Sequence, residues 1–104
     1  MQNLTPDAFK ALIAKPGTTL LDVRMPEEVE IAALPGAVNI PIAELGTRVA
    51  ELNPSAAIAV LCHHGVRSEM AGRFLERNGF ADVAHLIGGI DAWSHTIDAT
   101  VPRY

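Results

Sequence analysis

Hydrophobic positions along the chain switch between a spacing of three to four residues and short unbroken runs, and the switches mark out the elements. Phe9, Leu12 and Ile13 recur at helical spacing behind Thr5-Pro6-Asp7, which supplies a capping residue, a first-turn proline and a first-turn acid. Pro16-Gly17 closes that helix. Thr19-Leu20-Leu21-Asp22-Val23-Arg24 is a short β-prone run with polar ends, and Met25-Pro26-Glu27-Glu28 starts a short helix with an acidic first turn. Leu34-Pro35-Gly36-Ala37 reads as a turn, and Val38-Asn39-Ile40 as a brief strand ending at Pro41. Ile42, Leu45, Val49 and Leu52 then step along one helix face until Asn53-Pro54 stops it.

Ala57-Ile58-Ala59-Val60-Leu61 has no polar alternation, the mark of a strand buried on both faces of a parallel sheet, and it delivers Cys62 at its carboxyl end. After the loop, Val66, Met70, Phe74 and Asn78 share one helical row with Ala71 and Leu75 beside it. Arg73, Glu76 and Arg77 fall outside that row, and Gly79 is placed for a left-handed cap. Val83-Ala84-His85-Leu86-Ile87 is a further strand, Gly88-Gly89 a tight turn, and Ile90-Asp91-Ala92-Trp93 the last helical segment, with Trp93 a core anchor. The tail from Asp98 to Tyr104 reads as a surface strap. Strands alternate with helices and no Asn-Gly turn joins strand to strand, so an α/β fold with a parallel sheet covered on both faces follows. Ligands bind such sheets beyond the carboxyl ends of the strands, where Cys62 and Arg24 fall.

The length of 104 residues and an apolar share of 49% suit one domain over residues 1–104. A formal net charge of −4 argues against nucleic acid or an anionic membrane as partner, although Arg67, Arg73 and Arg77 gather after the cysteine. The start of the chain carries no basic, apolar export pattern, and no apolar stretch is long enough to span a bilayer. Cys62 is the single cysteine, so no intramolecular disulfide forms and a cytoplasmic, reducing setting is expected.

A lone cysteine is often only a small buried hydrophobe. Its neighbours point elsewhere. Cys62-His63-His64-Gly65-Val66-Arg67-Ser68 joins a core strand to a helix, and a thiolate there meets the free N–H groups and partial positive charge of the first turn. Gly65 lets the backbone curl around an anion. Two reactions need such a cradle: phosphoryl transfer through a phosphocysteine and sulfur transfer through a cysteine persulfide.

The stretch CHHGVRS resembles the active-site loop of the rhodanese sulfurtransferases, in which four residues separate the nucleophilic cysteine from the arginine, as they separate Cys62 from Arg67. Cysteine phosphatases, including those that share the rhodanese fold, place one residue more in that interval to fit a phosphoryl group. The resemblance extends to Leu21-Asp22-Val23-Arg24, Pro26-Glu27-Glu28 and Pro35-Gly36-Ala37-Val38-Asn39-Ile40-Pro41, and to Gly88-Gly89-Ile90-Asp91-Ala92-Trp93. Val101-Pro102-Arg103-Tyr104 is similar to the tail of single-domain bacterial members. Val29 departs from the family's usual aromatic residue and Ala33 from its common histidine.

The resemblance implies a rhodanese-like fold, with a central, mainly parallel five-stranded sheet and helices on both faces. It also implies ping-pong sulfur transfer. Cys62 attacks the sulfane sulfur of a small anionic donor such as thiosulfate, or of a persulfide, and cyanide or a thiol then takes the outer sulfur. Backbone N–H groups from His63 through Ser68 would hold the persulfide, Arg67 would brace the loop or attract the donor, and Ser68 would cap the helix and bond toward sulfur. Asp22 and Arg24 are expected to be a structural ion pair beside the site.

His63 and His64 are expected to be loop side chains facing solvent. Adjacent ligands do not match zinc spacings, with His85 and His95 elsewhere in the pattern, so neither metal nor cofactor is expected. Two rival readings remain: a non-catalytic or partner-directed persulfide carrier serving a protein donor or acceptor, and a cysteine phosphatase or arsenate reductase.

Overall fold

The computed structural model describes residues 1–104. Its central strand explains its own sequence. In β4 (Ile58–Leu61) every residue is fully buried, because successive side chains enter opposite layers. Ile58 and Val60 join Leu21, Val23, Ile40, Leu45, Ala71, Leu75 and Cys62 in one apolar cluster. Ala59 and Leu61 join Phe9, Leu20, Leu86, Ile90 and Trp93 in the other. A strand with two apolar faces shows no polar alternation.

Around it the sheet runs β1 (Gln2–Leu4), β5 (Val83–Leu86), β4, β2 (Thr19–Asp22), β3 (Val38–Asn39), and every pairing is parallel. The helices are α1 (Pro6–Ile13), α2 (Pro26–Ile31), α3 (Ile42–Arg48), α4 (Val66–Arg77) and α5 (Gly89–Thr96). Thr5 caps α1 by accepting from the Ala8 N–H, with Pro6 at the first position. Strands, helices and five-stranded sheet match the expected rhodanese-like α/β architecture, and the sheet is wholly parallel rather than mainly so. Trp93 is buried, with its ring edge-on to Phe9 at 6.3 Å between centroids. No helix is long and apolar enough to cross a membrane.

Three expectations change. β1 is an additional strand: it pairs only with β5, through Gln2↔Ala84, Asn3↔His85 and Leu4↔Leu86, and its first two residues are exposed. The face of α4 against the sheet is Ser68, Ala71, Gly72 and Leu75, while Val66 and Met70 stand out in solvent. Small residues let α4 lie close to the strands; Gly72 sits against Met1 and Val83. The helix from Ile42 also tightens after Arg48 into a 3₁₀ turn, Val49–Glu51.

Candidate active site

Cys62 follows β4 directly and is 1% exposed. The chain then turns through Gly65, at φ 106°, into α4. This positive φ suits glycine, and it aims the Gly65 N–H at the Cys62 Sγ, 3.0 Å away. The N-cap of α4 is Gly65 rather than Ser68, which lies in the first turn. The Ser68 hydroxyl donates to the Gly65 carbonyl at 3.2 Å and accepts from the Cys62 thiol at 3.5 Å. The Val66 side chain is exposed to solvent.

The outside of the loop is held by α5. The Ile90 N–H donates to the Cys62 carbonyl at 2.8 Å and the Asp91 N–H to that of His63 at 3.1 Å. These free N-terminal amides approach so closely because Gly89, at φ 63°, has no side chain. A Cβ there would lie 2.6 Å from the Cys62 oxygen and closer still to the His63 carbonyl.

Arg67 pairs with Glu28. Its guanidinium donates to both Glu28 oxygens, at 2.7 and 2.8 Å, tying the start of α4 to α2. The Arg67 guanidinium is the chief reason the Glu28 carboxyl is pulled down from 4.5 to about 2. Arg24 and Asp22 pair at 2.6 Å with both side chains wholly buried. The guanidinium also donates to the carbonyls of Ala32 and Glu28 and to the Tyr104 hydroxyl, which in turn donates to Glu28. Burial works against the Arg24 charge, but the bonds to Asp22 and Tyr104 outweigh it.

His64 is exposed, with Nδ1 4.0 Å from Asp91. His63 is not a solvent-facing side chain: its ring is stacked between His64 and Tyr104, 3.8 Å from the latter and nearly parallel to it, and its Nε2 is sealed without a partner. Burial, then the neighbouring His64, holds the His63 pKa below the ordinary histidine value. The tail is thus more than a strap, since Arg103 binds Asp91 and Tyr104 meets His63, Arg24 and Glu28. Glu28, His85, Asp91 and Tyr104 are the site neighbours that sequence reasoning had not gathered. Ala33, at the departure from the family's histidine, is exposed.

A parallel sheet that delivers a cysteine to the start of a helix, with the Gly65 N–H and the Ser68 hydroxyl at its sulfur, defines a thiol-centred α/β domain. The family model of the rhodanese-like domain matches residues 5–96, and the chain belongs to that family. It is 40% identical over 89 residues to the candidate sulfur carrier protein YrkF of Bacillus subtilis, covering 85% of this chain and 48% of that one. It is 33% identical over 115 residues to the adenylyltransferase and sulfurtransferase MOCS3 of Arabidopsis thaliana, covering 92% of this chain and 24% of that one. The chain therefore spans half or less of the length of these curated relatives. A rhodanese-related protein from Thermoplasma volcanium superposes with a TM-score of 0.83 at 31% identity, covering 98% of this chain and 96% of the other.

Proposed function

We propose that the protein moves sulfane sulfur through a persulfide on Cys62. The carrying observation is the cradle: the Gly65 N–H stands 3.0 Å from Sγ at the start of a twelve-residue helix, with Ser68 on the other side. An aimed N–H at a helix N-terminus favours negative charge on sulfur. The Cys62 thiolate attacks the outer sulfur of thiosulfate, forming the Cys62 S–S bond as the S–S bond of thiosulfate breaks and sulfite leaves with the electron pair. Cyanide or a thiolate then attacks the outer sulfur of the persulfide, and the Cys62 thiolate is regenerated. The four-residue interval to Arg67 supports sulfur over phosphorus, and the Arg67–Glu28 bridge supports bracing as the arginine's part.

The test is intact-mass analysis after incubation with thiosulfate, with sulfite measured in parallel. The native chain is expected to gain one sulfur atom and release sulfite, and Cys62→Ser to do neither; a native chain unchanged in mass sinks the reading. A second reading is favoured by the relatives: a persulfide carrier whose donor or acceptor is a protein. Slow turnover with thiosulfate beside fast transfer from a protein persulfide selects it.

A further inference from the structure

His85 takes no part in the bond-making steps of sulfur transfer, yet it stands behind the nucleophile. Its ring on β5 is 5% exposed, and Nδ1 lies 3.0 Å from the Ser68 oxygen, itself 3.5 Å from the Cys62 sulfur. A continuous line thus runs from sulfur through a hydroxyl to an imidazole. No protein atom bonds Nε2, and that atom is not sealed as the His63 Nε2 is. The ring lines an open cavity of about 370 Å³ shared with Asn3 of β1, His64 of the loop and Glu69 of α4.

We propose that His85 is a positioning residue which, through Ser68, turns a hydroxyl hydrogen onto the Cys62 sulfur and so stabilises the thiolate and the persulfide. The inference rests on Cys62 being the nucleophile. The Ser68 oxygen carries one hydrogen and has three neighbours that can take it: the Gly65 carbonyl, the Cys62 sulfur and the His85 ring. While the thiol is protonated, S–H donates to Ser68 and Nδ1 can accept the Ser68 hydrogen. On ionisation the thiol proton passes to the Ser68 oxygen, the Ser68 proton to Nδ1, and the Nε2 proton to solvent in the cavity. One proton leaves in all, and the ring ends neutral with its hydrogen on Nδ1. That N–H now occupies a Ser68 lone pair, leaving the Ser68 hydrogen free to face the sulfur.

The surroundings favour a neutral ring throughout. Burial is the main influence on His85 and holds its pKa below the ordinary value; Glu69 and Arg73 of α4 act on it in opposite senses. Asn3 and His64 complete the polar groups around the cavity, and neither brings a fixed charge.

The test follows the ultraviolet absorbance of the thiolate against pH, with the matching Cys62→Ser chain as the blank and no sulfur donor present. His85→Leu and Ser68→Ala are each expected to raise the ionisation midpoint by about one unit, tenfold less thiolate at a fixed lower pH, and the double variant no further. His85→Asn, whose amide can donate to Ser68, stays near the native midpoint. An unmoved midpoint in His85→Leu, or shifts that add in the double variant, overturns the proposal. As a check on the native chain, nitrogen chemical shifts of His85 should report the hydrogen moving from Nε2 to Nδ1 as Cys62 ionises; a fixed tautomer also overturns it. Sulfite release from thiosulfate is scored separately, so a chain that ionises in this way but transfers no sulfur defeats the sulfur-transfer reading and not this one.

Discussion

Arg67 and Glu28 meet through two hydrogen bonds of 2.7 and 2.8 Å, one from each terminal guanidinium nitrogen, joining the first turn of α4 to that of α2. In the proposed function this arginine would act through a carboxylate. In the proposed transfer, removing it would loosen the loop and leave the Glu28 charge uncompensated beside the path of an anionic donor. Arg67→Ala is expected to lower kcat/KM for thiosulfate about tenfold, while costing only about 1 kcal/mol of stability because the bridge is partly exposed. Steady-state kinetics beside chemical denaturation check this. Equal collapse of both would leave Arg67 a structural role alone.

The same bridge makes stability depend on acid. The Glu28 carboxyl is held at about 2 in the folded chain, chiefly by Arg67, against an ordinary value of 4.5. A depressed folded value means that the stabilisation is fully present above about 4.5 and lost as pH falls toward about 2. Glu28→Gln is expected to be less stable than the native chain at neutral pH by about 1 to 2 kcal/mol, after allowance for solvent screening. The gap should close over that acid window, as urea denaturation at a series of pH values would measure. A constant gap would place the stabilisation elsewhere.

What the sequence made legible is what local pattern encodes. The unbroken apolar run of β4 announced burial on both faces, and Thr5-Pro6 announced the start of α1. β1 escaped because an edge strand with Gln2 and Asn3 exposed has no hydrophobic face to display. Hydropathy alone selects Val66 and Met70 for the buried face of α4, whereas the sheet selects the small stripe of Ser68, Ala71 and Gly72 that permits close approach. At the site, the Cys62 loop and the Gly88-Gly89 turn were visible as motifs. The contacts of Tyr104 with Arg24 and of His85 with Ser68 join residues far apart in the chain, and no periodicity carries that information.

Tyr104 gives one such long-range contact a measurable signature. Its ring lies flat on His63, and burial is the leading cause of the lowered pKa of that histidine. Tyr104→Ala uncovers the imidazole, so the His63 midpoint should rise toward 6.5, read by proton NMR of the ring. Tyr104→Phe keeps the stack but loses the hydroxyl between Arg24 and Glu28, and should leave His63 nearly in place at a stability cost of about 1 kcal/mol. If uncovering leaves the titration unchanged, the stack is not what shields His63.

Two glycines separate backbone fit from helix propensity. Gly46 lies within α3, and a Cβ added there would meet nothing within 4 Å, so Gly46→Ala removes unfolded-chain entropy at no steric cost. It should stabilise by about 0.5 to 1 kcal/mol. Gly89 combines φ 63° with carbonyls of Cys62 and His63 where its Cβ would go, the Cys62 oxygen being 2.6 Å away. Gly89→Ala must push α5 off the loop, breaking the Ile90 and Asp91 amide bonds that hold it. A loss of about 2 to 4 kcal/mol is expected from strain and the stranded carbonyls together. Because those amides fix the carbonyl side of the cradle, the Gly89→Ala chain that remains folded should also load sulfur from thiosulfate more slowly, while Gly46→Ala loads at the native rate. Denaturation curves and timed intact-mass measurements read the two effects apart, and native loading by folded Gly89→Ala would show that the cradle stands without α5.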